Sequence, residues 1–423
     1  MFFCFLIIIF ITLSVYFTRA SGRLVNFPAA LLIPLAISLS LAFSLDLLSS
    51  QLVKNSCYLE HKYCSYFIGD TTRLVIFYFF AILGFCIPCV FVSRIGSTKK
   101  TEEGCLYKES LQSFLGTLFL VYLVLIATIY LLGYFPLYEM YKGNIDINEH
   151  IRNLSSLPYG LMALNLALAI VMILKYLMID KSEAPKSLRF FFYITLLLVA
   201  FWQGNRQIMA FYLISLFFIN LSKIEKKQDH KKKNADTVKF LGLTLLIALA
   251  FWLVFILVNY IRLPLNHASP INELIMYVSW PQFNLVSLLN NLPFWPAGGH
   301  FHYLYSQLIP ARLGGKDLWQ ELHSLLFEPT APIGYFAYWF LDFGYIGVFW
   351  GGLFLGLFSS FFDSKRYTSL FFNEAYLLCL YCISTSFLYS HLITLTYFWG
   401  PLIILYLINN LSKKLSKFLY SKS

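Results

Sequence analysis

The chain has 423 residues, of which 59% are hydrophobic, 19% aromatic and only 13% charged. That balance excludes a soluble globular protein and points to a polytopic, all-α integral membrane protein. A membrane β-barrel is excluded because the apolar runs are continuous rather than alternating; a nucleic-acid binder is excluded because the bases behind the net charge of +11 punctuate those runs and form no groove.

Residues 2–17 read as the first span. No basic leader precedes it and Arg19 and Arg23 follow it, so it is expected to insert with its N-terminus outside and not as a cleaved signal peptide. Residues 27–48 return outward to a loop through Asp70, in which Cys57 and Cys64 are placed to pair in an oxidising compartment. Residues 74–92 come back in, 94–108 are cytoplasmic, and 111–133 go out. The outer segment 134–158 carries Glu139, Asp146, Glu149, His150 and Arg152, and 159–179 goes in again. The pairs Cys86/Cys89 and Cys379/Cys382 sit in apolar runs without His or Asp company, where cysteine behaves as a small hydrophobe, so neither metal nor cofactor is expected.

The apolar stretch 190–221 is broken at its middle by Gln203, Gly204, Asn205, Arg206 and Gln207. Basic residues flank it on both sides: Lys181, Lys186 and Arg189 before, Lys223, Lys226, Lys227 and Lys231 to Lys233 after. Basic segments stay cytoplasmic, so the stretch must enter and return as a short helical hairpin. Arms of about 15 residues reach roughly 22 Å, less than the ~30 Å hydrocarbon thickness. Arg206 is therefore expected at or just below the outer membrane surface. An arginine costs about 2.5–3.5 kcal/mol near the bilayer centre and less toward its edge, so here it marks a site or snorkels to headgroup phosphates.

The segment 223–239 is a solvated polybasic loop, and 240–260 goes out into the longest connection, 261–332, an outer loop of about 70 residues too short for an independent enzyme domain. It is rich in aromatic residues, among them Trp280, Trp295, Phe301, Tyr303 and Tyr305, which suit sugar rings or a headgroup layer. Residues 274–289 are apolar enough to dip into the interface, with Pro281 arguing against a full crossing. Residues 301–309 read as a short helix whose aromatic face lies on lipid or on the bundle. Guanidinium groups match phosphate oxygens, and Arg262 and Arg312 join Arg206 as three arginines able to face one pyrophosphate. His300, His302 and His323 are acid/base candidates.

Residues 333–362 return inward as one span. Asp342 is placed two turns inside it, on one face with Tyr335 and Tyr338, where a carboxylate must point to a wet cavity or pair with a cation. Gly344, Gly347, Gly351, Gly352 and Gly356 read as the close approach of a neighbouring helix. Spans at 370–389 and 392–411 meet outside at Ser390 and His391, and the lysine-rich tail is inside. The result is a single membrane domain of about 11 spans with most of its 32 Lys and Arg on the cytoplasmic side.

Two of these stretches carry a resemblance. Phe201-Trp-Gln-Gly-Asn-Arg-Gln resembles the Gly-Ser/Asn-Arg tip of the Wzy-type O-antigen polymerases, also called oligosaccharide repeat-unit polymerases. Gly298-Gly-His-Phe-His-Tyr-Leu and Thr330…Tyr338…Asp342-Phe-Gly344-Tyr-Ile-Gly347 resemble that family's later outer loop and its re-entry span. The likeness covers residues 190–360. The Arg-x10-Gly pattern of some members is absent, since Glu273 stands eleven residues after Arg262 and His323 eleven after Arg312.

The resemblance implies a glycosyltransferase at the outer face of a bacterial inner membrane. It polymerises oligosaccharide repeat units carried on polyprenyl (undecaprenyl) pyrophosphate, without metal or cofactor. It implies Arg206 as principal pyrophosphate clamp, Arg262 and Arg312 as secondary clamps, and Asn205, Tyr338 and Thr330 as further substrate-binding positions. Asp342 is then the base or the partner that orients Arg206, and His302 the alternative base. The implied partners are the lipid-linked oligosaccharide, the bilayer and a chain-length regulator. The competing readings are a transporter or flippase of the same lipid-linked substrate, a membrane acyltransferase, and the related ligase that moves finished glycan to a lipid core.

Overall fold

The computed structural model describes residues 2–21, 26–52, 71–96, 111–135, 138–139, 142, 144–145, 149–150, 153, 157, 160–179, 185–202, 206–225, 242, 249, 253, 270–293, 301–308, 322, 325–326, 333–386, 391 and 394–420. Apolar runs of this composition leave the backbone no water to bond with, and helices satisfy every N–H and C=O internally. The long elements are α1 (Phe2–Ser21), α2 (Phe27–Leu52), α3 (Thr71–Gly96), α4 (Leu111–Leu132), α5 (Leu161–Met178), α6 (Lys186–Trp202) and α7 (Arg206–Glu225). After them come α8 (Pro270–Asn291), the short α9 (His302–Leu308), α10 (Tyr335–Lys365), α11 (Leu370–Ser384), a π-helical turn at Leu395–Trp399 and α12 (Gly400–Tyr420). No β-strand occurs among the described residues. Among the described residues four helices, α3, α4, α5 and α10, are long and apolar enough to cross a bilayer. Large apolar side chains such as Phe79, Phe119, Ile126 and Trp350 stand exposed on them, the surface a lipid phase covers.

The chain divides into two compact units, the first comprising residues 1–102, 268–364 and 382–395. There α2 packs on α1 and α8, and α3 contacts both α1 and α8. The backbones of α3 and α10 also meet directly. A Cβ on Gly84 would strike the carbonyl of Phe349, and one on Gly352 the carbonyl of Ala81. A buried polar chain ties α8 in: Tyr78 donates its hydroxyl proton to Gln282, Gln282 Nε2 donates to Ser38 Oγ at 3.0 Å, and Ser38 donates to the Val278 carbonyl at 2.9 Å. The guanidinium of Arg73 bonds the Leu289 and Leu292 carbonyls, 2.8 Å to the latter, closing the C-terminal end of α8 where helix carbonyls lack partners.

Residues 274–289, expected as an interfacial dip within a loop, therefore belong to a continuous helix packed on α2 and α3. The polar positions Ser279, Gln282, Asn284 and Ser287 that lower its hydropathy are buried in the bundle instead of facing water.

The second unit comprises residues 103–267, 365–381 and 396–423, and α5 is its hub. This helix touches α4, α6, α7 and α12 and is buried almost all round, as an evenly apolar helix should be. Tyr176 stacks on Phe192 with ring centroids 3.6 Å apart, and the Tyr193 and Tyr212 hydroxyls lie 3.2 Å apart between α6 and α7. Both helices exceed the expected arms of about 15 residues, because they run on through the basic residues Lys186, Arg189 and Lys223 at their ends. Gln203, Gly204 and Asn205 between them lie outside the described residues.

Three helices of this unit meet at a closed polar ring. Lys175 Nζ pairs with Glu374 Oε1 at 3.3 Å and donates to Asn409 Oδ1 at 3.0 Å, while Asn409 Nδ2 donates to Glu374 Oε2 at 2.8 Å. Lys175 and Glu374 are wholly buried, so removing one leaves an uncompensated charge among apolar helices. Lys175→Met is expected to destabilise the protein by about 3–5 kcal/mol, and Lys175→Met combined with Glu374→Met to recover much of that loss. Thermal unfolding of the detergent-solubilised protein measures both.

Candidate functional site

The site in the first unit is built on a reversal inside α10. Gly344 has φ 63° and ψ −152°, a region of backbone space that only glycine occupies without strain. In an unbroken helix Tyr335 and Gly351 would stand roughly 24 Å apart. Here the Tyr335 hydroxyl donates to the Gly351 carbonyl at 3.2 Å, and the Trp339 indole lies against Gly351. A Cβ on Gly347 would meet the Trp339 carbonyl. Residues 335–343 are therefore one short arm folded back along 345–365, and the Tyr335 N–H donates to the Ser386 carbonyl at 2.7 Å to anchor its start.

This corrects the expectation of a straight inward span with Asp342 two turns inside it. Asp342 lies at the folded end of the arm, two residues before the reversal. The glycines also divide their work. Gly352 and Gly356 admit α3, whereas Gly347 and Gly351 admit the helix's own first arm.

Asp342 is fully buried and spends both carboxylate oxygens on the start of α9. Oδ1 accepts the Tyr303 N–H at 3.1 Å and Oδ2 the Leu304 N–H at 2.9 Å, with the His302 N–H also turned toward it. These are the donors that the first turn of a helix leaves without partners. Phe301, just before α9, holds a left-handed φ of 72°, and its ring meets that of Phe343 edge-on at 4.7 Å. His302 opens α9 half-buried, with its carbonyl accepting from Ser306 Oγ at 2.8 Å. Phe301 and Tyr305, one turn apart, are 60% and 51% exposed. Tyr338 lies buried one turn before Asp342 on the same arm.

The structure thus brings Asp342, Phe343 and the backbone of the His302 segment together, with Tyr338 close behind. Arg206 is the first residue of α7 in the other unit, and its side chain lies outside the described residues. So do Asn205, Arg262, Arg312, Thr330, His300, His323, Cys57 and Cys64. Among the described residues no group of three or more His, Cys, Asp and Glu converges as a metal site would.

Two buried histidines had no role assigned from sequence. His150 shares a 3.2 Å hydrogen bond with the Tyr134 hydroxyl, which accepts from Asn153 Nδ2 at 3.2 Å. His391, in the turn before the π-helical segment, is held neutral because burial pushes its pKa down to about 3. No local sequence signal separates either from an ordinary loop histidine.

Gly344→Ala is expected to lower stability by about 1–3 kcal/mol because alanine cannot adopt the reversal without strain. Gly116→Ala on α4, where a Cβ meets open space, serves as the neutral comparison in the same thermal assay. No family model, curated protein or solved structure matches the chain.

Proposed function

We propose that the chain is a glycosyltransferase of the O-antigen polymerase type, joining oligosaccharide repeat units carried on polyprenyl pyrophosphate at the outer face of the inner membrane. The observation that carries this reading is the Gly204-Asn205-Arg206 break in an apolar stretch with basic outer flanks, with α6 ending at Trp202 and α7 opening at Arg206. A guanidinium carried by such a break suits a diphosphate leaving group at the lipid boundary.

In this reaction a hydroxyl oxygen of the acceptor unit bonds to the anomeric carbon of the growing chain. The bond from that carbon to the pyrophosphate oxygen breaks, and polyprenyl pyrophosphate departs with the electron pair. The hydroxyl proton passes to His302 or Asp342. Charge develops on the leaving group, so Arg206, assisted by Arg262 and Arg312, is the group that lowers the barrier. Asn205, Tyr338 and Thr330 are assigned to substrate binding.

The accompanying topology has about 11 spans, the N-terminus outside, the C-terminus in the cytoplasm, and residues 261–332 as an outer connection. Because α8 packs through its middle on α2 and α3, it is the element on which that count turns. Labelling residues 270 and 292 from one side or from opposite sides reads it directly.

A second reading, transport of the lipid-linked oligosaccharide without chemistry, draws support from the broken α10, since discontinuous helices build the sites of many transporters. Surface-glycan profiles of deletion strains separate the alternatives. Loss of a polymerase leaves single-repeat capped lipid, loss of a flippase leaves none, and loss of a ligase leaves unattached polymer.

With lipid-linked repeat units in vitro, Arg206→Ala and Arg206→Lys are both expected to insert normally and to lose polymer formation by about 100-fold or more. Long chains made at normal rate by Arg206→Ala would place the site elsewhere.

A further inference from the structure

We infer that Asp342 is a positioning residue: its carboxylate docks α9 on the folded tip of α10, and the docked helix holds His302 as the group that meets the acceptor hydroxyl. The assignment of His302 rests on the polymerase reading; the docking does not.

The docking follows from geometry. With seven residues, α9 is too short to persist as a free helix, because its first turn fixes several residues before any hydrogen bond repays them. What holds it is the tip. Asp342 accepts the Tyr303 and Leu304 N–H groups, and Phe343 packs on Phe301, which occupies a backbone region that a bulky residue rarely adopts. Gly344 then turns the chain so that both contacts point at α9. Three consecutive residues therefore share one task, and each does a different part of it.

The same geometry gives Asp342 a structural task. The side chain is fully buried, and each oxygen already takes an N–H from α9. Protonating the carboxylate would weaken the bonds that keep α9 in place. His302 is only half-buried and sits at the start of the docked helix, beside the exposed faces of Phe301 and Tyr305. Aromatic faces of this kind stack on sugar rings, which fits an acceptor saccharide approaching His302.

Docking is read without any activity assay. In the full-length protein in native membranes, Phe301→Cys with Phe343→Cys is joined by a short thiol-to-thiol reagent, and the linked peptides are identified by mass. Asp342→Asn keeps one acceptor oxygen and is expected to retain at least half of the cross-linking rate. Asp342→Ala is expected to reduce it more than tenfold. A second pair, Ser38→Cys with Gln282→Cys between α2 and α8, should cross-link equally in all backgrounds and so report that the unit is folded.

Polymer formation is then measured in the single variants without added cysteines. Asp342→Asn should stay within about tenfold of the parent. His302→Gln should make no polymer while leaving the Phe301/Phe343 cross-link intact. The positioning role is overturned if Asp342→Ala cross-links at the parent rate. It is equally overturned if Asp342→Asn cross-links normally yet makes no polymer, which returns proton transfer to Asp342. A parent protein that makes no polymer from lipid-linked repeat units removes the functional reading and leaves the cross-linking result standing.

Discussion

A polar atom inside an apolar helical bundle has to find its partner within the protein, because no water is there to supply one. Leaving a hydroxyl or amide unpaired in such surroundings costs roughly 2–7 kcal/mol, more than a typical hydrogen bond contributes net. Every informative contact in the two units is an answer to that constraint. Gln282 in α8 is satisfied from α2 and α3 together. Lys175, Glu374 and Asn409 satisfy one another across three helices. Arg73 bonds carbonyls at the end of α8, and Asp342 accepts N–H groups at the start of α9. Each arrangement removes a penalty that apolar packing alone cannot offset, and each thereby selects which helices lie side by side.

Glycine supplies the complementary freedom. Where α3 and α10 meet, Gly84 and Gly352 bring backbone against backbone, and any side chain there would hold the helices apart. At Gly344 the demand concerns direction rather than space. The positive φ turns the arm through a reversal, and Gly347 and Gly351 leave room for Trp339 to lie along the returning helix. A stripe of small residues on one helix thus serves two different neighbours, one of them its own beginning.

These two effects decide what is legible in the amino-acid sequence. Uninterrupted apolar runs of bilayer length announce α3, α4, α5 and α10, because hydropathy over one turn after another needs no partner to be interpreted. The body of α8 is not announced. Its polar residues and Pro281 resemble a surface segment until Ser38, 244 residues away, is known to face Gln282. Lys175 lies near the end of an apolar span, and nothing nearby in the chain reveals Glu374 or Asn409 as its partners. Asp342 is conspicuous as a lone carboxylate in an apolar run, and sequence reasoning marks it as a site for that reason. Its partners lie 38 and 39 residues earlier, at the start of α9. The reversal is invisible because a glycine that turns the chain and a glycine that admits a neighbour are the same letter.

The carboxylate's surroundings also bear on what it does for the fold. A hydrogen bond to a charged group contributes about 1.5–3 kcal/mol, and Asp342 accepts at least two from α9. Removing the carboxylate forfeits both, and losing even one such bond corresponds to at least a tenfold disadvantage for the docked helix at about 1.4 kcal/mol per factor of ten. That disadvantage comes with the displacement of a helix that cannot persist alone. The helix is held through its backbone N–H groups, by the carboxylate, and through the aromatic contact of Phe301 with Phe343.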